Sequence, residues 1–155
     1  MFKSLEGNFD NPKVHELLSK HFVELRAASP EGSAHVLDIP GLKVSSIKFW
    51  SLWQDENLIG CGALKFLDEG HGEFKSIRIH DNFRNKGYGI NVINHLINEA
   101  KKLKIKKISI ETGAGEFFLP ARKLFKKCEF KECQPFAHYK EDINSLYLTK
   151  IIDKN

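Results

Sequence analysis

Glu73-Phe74-Lys75-Ser76-Ile77-Arg78-Ile79-His80, and shortly after it Arg84-Asn85-Lys86-Gly87-Tyr88-Gly89, lead into the apolar-periodic run that ends at Leu103. The order is strand (73–80), glycine loop, helix (88–103). In the strand, Phe74 has the opposite parity from Ile77 and Ile79, so strict alternation would place it on the other face. One extra residue near Lys75-Ser76, a β-bulge, returns all three to one face and leaves backbone polar groups free for a ligand. In the helix, Ile90, Ile93, Ile97, Ala100 and Leu103 form the expected buried stripe, flanked by Val92 and Leu96. The loop between them is suited to an anion. Its two glycines let a ligand approach the backbone, and the helix start turns unpaired N–H groups toward it. Arg84 and Lys86 add positive charge, so a pyrophosphate is expected.

What the loop lacks narrows the choice. A Walker-type loop ends in Lys-Ser or Lys-Thr to reach magnesium, and here Gly87 is followed by Tyr88 and Gly89. A dinucleotide fingerprint asks for a third small residue where Val92 stands; Glu111 alone could serve as its acid.

The rest of the chain fits a mixed sheet. Asn11-Pro12 caps an amphipathic helix over 12–28, with Val14, Leu17, Leu18, Phe22 and Leu25 on one stripe. Residues 29–41 hold Pro30, Gly32, Pro40 and Gly41 and read as a loop. Strands at 46–53, 58–67 and 73–80, joined by Gln54-Asp55-Glu56-Asn57 and Asp68-Glu69-Gly70-His71-Gly72, form an antiparallel meander. After the helix comes a strand over 106–111, expected parallel to 73–80 through a right-handed crossover. A helix over 117–127 and strands near 129–134 and 145–150 complete the chain.

At 155 residues, 41% hydrophobic and 28% charged, one domain over 1–155 with a full core is expected. No apolar run approaches a membrane span, and from the polar start no signal peptide is expected. With three cysteines, an odd count, reduced thiols in a cytoplasm are expected, and no membrane partner. Cys128 and Cys133 lack a second pair, so no metal site is expected. Cys61, between glycines in a strand, reads as a small core residue. The net charge of +4 suits an anionic cosubstrate.

The pattern Arg84-x-x-Gly87-x-Gly89 between strand and helix resembles motif A of the GNAT acyl-CoA N-acyltransferases, and the order of elements is similar across nearly the whole chain. Further stretches resemble a bacterial subgroup of small acetyltransferases: Ser29-Pro30 through His35 and Asp38, Phe49-Trp50-Ser51-Leu52-Trp53, Gly60-Cys61-Gly62-Ala63-Leu64-Lys65, His71-Gly72-Glu73-Phe74-Lys75-Ser76, Glu111-Thr112-Gly113 and Pro120-Ala121-Arg122-Lys123-Leu124. The resemblance implies an α/β (α+β) fold, a mixed and mostly antiparallel sheet of six to seven strands flanked by helices. It implies a cytoplasmic bacterial enzyme that moves acetyl from acetyl-CoA to a small primary amine, by direct attack in a ternary complex. Backbone around Ile77, Arg78 and Ile79 would pair with pantetheine, and Arg84, Asn85, Lys86, Gly87, Tyr88 and Gly89 would hold the pyrophosphate. A valine at Gly89 would then fill the space that the pyrophosphate needs. A homodimer through the C-terminal strands is common in the family, and the residues leave that point open. The family's asparagine and tyrosine, seven residues apart, correspond to Phe118 and Phe125.

An alkyl ammonium of pKa ~10 must lose a proton before it attacks, so a base is needed. Glu73, at the start of the bulged strand, is the leading candidate; a solvated strand-end glutamate is the bland alternative. Glu111, Glu116 and His80 are weaker ones. His35 lies in the loop expected to overhang the acceptor, with Glu111 as a second acceptor contact. Tyr139 is the candidate acid for the departing thiolate, against a plain reading as a packed aromatic. Trp50, Trp53, Phe66 and Phe74 are expected to build core and pocket wall. Two rival functions remain: a CoA-binding protein without catalysis, suggested by Phe118 and Phe125, and a nucleic-acid module using Lys101, Lys102, Lys104, Lys106 and Lys107. The second is disfavoured, because no aromatics interleave with the lysines for base stacking, and no nucleic-acid partner is expected.

Overall fold

Each helix begins where the sequence provides a cap or leaves one out. The computed structural model describes residues 2–153. Helix α1 (Pro12–Ala28) starts on Asn11, whose side chain accepts a hydrogen bond from the Lys13 N–H, with proline in its first turn. Helix α2 (Ile39–Leu42), a single turn capped by Asp38, interrupts the stretch expected to be loop. Helix α3 (Tyr88–Lys102) starts instead on Gly87, in the left-handed region and without a side-chain cap. Helix α4 (Leu119–Lys127) follows a 3-10 turn over Glu116–Phe118.

The strands are β1 (Phe2–Glu6), β2 (Ile47–Gln54), β3 (Asn57–Asp68), β4 (His71–Ile79), β5 (Lys107–Gly113), β6 (Lys131–Glu132) and β7 (Ser145–Ile151). They form one mixed sheet in the order β1-β2-β3-β4-β5-β7-β6, mostly antiparallel, with β4 and β5 parallel. Several details differ from the sequence expectation. The edge strand β1 was not anticipated; the β2–β3 and β3–β4 turns are shorter than the expected four and five residues, so that β4 starts at His71; and β6 is far shorter than 129–134.

Two cores flank the sheet. One, under α3 and α4, includes Trp50, Leu64, Phe74, Ile93, Leu96, Ile108 and Leu148. The other, under α1 and α2, includes Leu17, Phe49, Trp53, Cys61 and Ala63. The buried face of α3 centres on Val92, Ile93, Leu96, Ile97 and Ala100, so the stripe lies slightly to one side of the expected one, with Ile90 and Leu103 at its margins.

The expected bulge is present. Cys61 pairs with Arg78 and Ala63 with Lys75, two steps along β3 against three along β4. The extra residue falls at Ser76-Ile77, and Ser76 has a φ of 55°. Phe74, Ile77 and Ile79 consequently all pack on the α3-side core. On its other edge β4 pairs with β5 only at His71–Lys107, Gly72–Ile108 and Glu73–Ser109. Beyond Glu73 the two strands part.

Candidate functional site

The gap between β4 and β5 is continuous with a cleft of about 710 Å³. The α3-side core lines it with Phe74, Ile110 and Phe125, and helix α1 lines it with His21 and Leu25, so it is walled from both sides of the sheet.

On the α3 side the glycine loop forms the wall. Asn85 and Gly87 both have positive φ, at 59° and 88°, which folds the loop back before the uncapped N-terminus of α3. Arg84 donates from Nε to the Ile79 carbonyl oxygen at 3.2 Å. Arg84, Asn85, Gly87 and Gly89 line the cleft, whereas Lys86 and Tyr88 do not. The Tyr88 hydroxyl donates to Gln54 Oε1 at 3.2 Å, and its ring meets Phe2 and Phe83 edge-on, which holds it against the sheet. A Cβ on Gly89 would lie 2.7 Å from Leu124 of α4. This glycine therefore sits against the tip of Leu124 as well as on the cleft, so a valine there would press on α4 in addition to filling the space expected for the pyrophosphate. Lys123 and Lys127, one turn apart on α4, also line the cleft. Their spacing was the available signal, and it was missed. Phe118 and Phe125 are on the same wall, with Phe125 packed edge-on against Phe130.

On the α1 side the wall is polar. Glu73, where the β4–β5 ladder stops, is 1% exposed. Its Oε2 accepts from the Tyr139 hydroxyl at 2.6 Å and from Lys75 Nζ at 3.3 Å, and Lys75 Nζ also donates to the Tyr139 oxygen at 3.1 Å. Glu73, Lys75, His35 and Glu111 line the cleft; Tyr139 does not, and sits behind Glu73. Burial, then the negative charge of Glu73 and the hydrogen bond to it, push the Tyr139 hydroxyl far above the usual phenol range. His35 packs edge-on against Tyr139, ring centroids 5.1 Å apart. Glu111 accepts from Ser145 Oγ at 2.8 Å, and burial holds its carboxyl above the ordinary range. The weaker candidates lie elsewhere: His80 accepts from the Asn82 N–H, Glu116 is exposed in the 3-10 turn, and neither lines the cleft.

Two further residues complete this wall. Arg78, 4% exposed, donates from a terminal nitrogen to Glu24 of α1 at 2.9 Å and to Asp81 at 3.4 Å, so its side chain is on the α1 side. His21 of α1 is 5% exposed and was not singled out, although it stands one turn from Leu17 and Leu18 on the apolar stripe. Burial, reinforced by Arg78 and Arg84, lowers its pKa from 6.5 to about 3, so the ring is neutral.

Among the described residues no cluster of three or more His, Cys, Asp or Glu could hold a metal ion, and no helix is long and apolar enough to cross a membrane. Cys61 is fully buried in the α1-side core, and burial raises its thiol pKa to about 12. Trp50 and Trp53 are core residues away from the cleft, whereas Phe74 lines it.

Comparison with known proteins places this geometry. Residues 12–130 match the profile of the Acetyltransferase (GNAT) family. The chain is 43% identical over 138 residues to the uncharacterized N-acetyltransferase YsnE of Bacillus subtilis, covering 89% of this chain and 91% of that protein. It is 34% identical over 155 residues to the uncharacterized N-acetyltransferase YedL of Escherichia coli, covering 100% and 98%. Its fold matches that of a Klebsiella pneumoniae protein assigned to the acyl-CoA N-acyltransferases, with a TM-score of 0.80, 19% identity and coverage of 99% of each chain. A GNAT family acetyltransferase from Elizabethkingia anophelis, solved with acetyl-CoA bound, matches with a TM-score of 0.68 at 20% identity, over 97% of each chain.

Proposed function

The chain belongs to the GNAT acetyltransferase family, and from that premise we propose that it works as one domain, moving acetyl from acetyl-CoA to a small primary amine by direct attack in a ternary complex. The observation that carries the reading is the early end of the β4–β5 ladder, with Glu73 at its apex and the cleft running through the gap.

Acetyl-CoA fits the walls. Ser76 and Ile77 fall outside the register with β3, and β4 beyond Glu73 has no partner strand on its other edge, so a pantetheine arm can pair there like an additional strand. The uncapped start of α3, with Arg84 and the glycine loop, suits the pyrophosphate. Acetyl-CoA supplies the acyl group as a thioester, whose thiol has a pKa near ~8.5. A departing group of that acidity leaves without a strong acid, so phenylalanine at 125 is compatible with turnover.

Glu73 acts as the base. Its Oε1 has no hydrogen-bond partner, while Oε2 is fixed by Tyr139 and Lys75. The free oxygen takes the amine proton directly or through one water, and the fixed one keeps the carboxyl oriented. Tyr139, behind Glu73 rather than on the cleft, is a positioning residue and not the acid expected from the sequence. Glu111 and His35 hold the acceptor end, and an N–H near Ile77 meets the charge that develops on the acyl oxygen.

Thermal melting with and without acetyl-CoA tests the reading. At 100 times the dissociation constant, binding adds about 2.7 kcal/mol, or roughly 5–10 °C for a domain of this size. An unchanged melting temperature at millimolar acetyl-CoA overturns it. A shift justifies following thiol release across a panel of amines, and a binder that acetylates none of them is a CoA-binding protein without catalysis.

A further inference from the structure

Among the described residues, the buried side-chain nitrogens and oxygens without a hydrogen-bond partner are His21 Nδ1, Glu73 Oε1, Ser76 Oγ and Arg78 Nε. All of these residues line the same cleft. Buried serines elsewhere in the sheet are satisfied: Ser51 accepts from Trp53, Ser109 meets His71, and Ser145 donates to Glu111. A buried polar atom without a partner is costly, so a group of them on one wall marks where a polar ligand belongs.

The unpartnered atoms differ in chemical kind along β4. At the apex of the gap, Glu73 Oε1 is an acceptor, and the Glu111 carboxyl lines the same cleft. Five positions on, Arg78 Nε is a cationic donor with its terminal nitrogen already engaged by Glu24 and Asp81. His21 adds a second nitrogen there. Its ring is neutral, so Nδ1 donates in one tautomer; burial is the main cause of its lowered pKa, and the charges of Arg78 and Arg84 lower it further, which puts positive charge near that spot. Two donors match the two oxygens of a carboxylate. Ser76, at the bulge, lies between the two ends in chain order.

Resting on the acetyltransferase reading above, we propose that the acceptor is an amino acid in the broad sense, a primary amine whose other end carries a carboxylate. The amine meets Glu73 Oε1 beside the thioester, and the carboxylate meets Arg78 Nε and His21. At ~3.3 Å per strand residue, less the shortening at the bulge, the Cα atoms of Glu73 and Arg78 lie roughly 13–16 Å apart. A span of that order, with the Arg78 terminal nitrogen held by Glu24 and Asp81, separates the acceptor's two charged ends by more than a single carbon is able to provide. An ω-amino acid or a short peptide suits it better than glycine.

The test uses the intact protein and matched acceptors that differ only in the carboxylate: 4-aminobutyrate against propylamine, 6-aminohexanoate against pentylamine, lysine against cadaverine, and diglycine against glycine N-methylamide. Calorimetry with acetyl-CoA alone comes first. The expected result is a kcat/KM at least about tenfold higher for the carboxylate-bearing member of a pair, because a site built to bond a group rejects the analogue that lacks it. Arg78→Met should erase that preference by lowering only the carboxylate-bearing rates. His21→Leu, which removes a neutral ring from the same spot, should reduce the preference without the risk of breaking the Glu24 and Asp81 ion pairs. Equal or higher rates for the plain amines overturn the inference and leave the acetyltransferase reading standing. Acetyl-CoA binding with no turnover of any acceptor overturns the inference as well. Failure of acetyl-CoA to bind overturns both.

Discussion

The two edges of β4 are treated very differently by the fold. Toward β3 the ladder runs almost its full length, from Asp68–His71 to Gly60–Ile79, broken only by irregularities such as the bulge. Toward β5 it holds for three residue pairs and stops at Glu73. The β3 edge is packed so closely that a Cβ on Gly60 would lie 2.5 Å from the Arg78 carbonyl oxygen. The other edge opens onto a cleft. One strand therefore fixes a backbone against its neighbour on one side and presents it to a ligand on the other. The rigidity of the first edge is what allows the second to stay open without collapsing, since the α3-side core anchors Phe74, Ile77 and Ile79.

The sharpest way to break this contrast is at its apex. Glu73→Gln keeps shape and most hydrogen bonding but removes the base, and kcat should fall by roughly 10²–10⁴ with acetyl-CoA affinity little changed. Steady-state kinetics beside calorimetry check this, and a fall below threefold would remove Glu73 from the chemistry. Next in size is the closed edge. Gly60→Ala should lower unfolding free energy by about 1–3 kcal/mol, because the Arg78 backbone must give way, and a denaturant titration reads it.

The third prediction concerns pH. His21 has a folded pKa depressed to about 3 against 6.5 in an unfolded chain, so the unfolded state binds the extra proton first. Its contribution is fully present above pH 6.5 and is lost as pH falls toward 3. Between pH 6.5 and 5 the loss is about 2 kcal/mol. In His21→Leu this part of the stability profile should be flatter, and an identical slope in the variant rejects the assignment. Smallest is Tyr139→Phe. It removes the donor that holds Glu73 Oε2, and kcat should fall by roughly tenfold, the worth of one hydrogen bond to a charged group. The KM for acetyl-CoA should not move, because Tyr139 does not line the cleft. A raised KM with normal kcat would instead make Tyr139 part of the binding wall.

Much of the fold was legible because local patterns agreed with one another. The broken parity of Phe74, Ile77 and Ile79 pointed to a bulge, and the Asn11-Pro12 cap placed the start of α1 at its observed residue. Edge strand β1 was not legible, since Phe2–Glu6 is short and its partner β2 lies some forty residues away. The site was legible only where it is local in sequence. The loop over 84–89 announced itself, but the bond between Glu73 and Tyr139 joins residues 66 apart, and spacing rules do not reach that far. His21 hid on an apolar stripe, where a histidine passes for core until the structure brings Arg78 against the same helix. Lys86 and Tyr88 differ from their loop neighbours: neither lines the cleft, and the turn of the helix carries the Tyr88 hydroxyl to Gln54.

The burial of Cys61 has a practical consequence at the bench. Its thiol is enclosed in the α1-side core, donates to the Ser76 carbonyl oxygen, and is held protonated at any ordinary assay pH. Aromatic disulfide reagents, which react with thiolates, should therefore leave it untouched while they report each free thiol released in solution. Cys128 is also buried, which leaves Cys133 as the accessible background. Cys133→Ser should give a colourimetric readout with little enzyme-derived drift, from a protein that needs no further change to its cysteines.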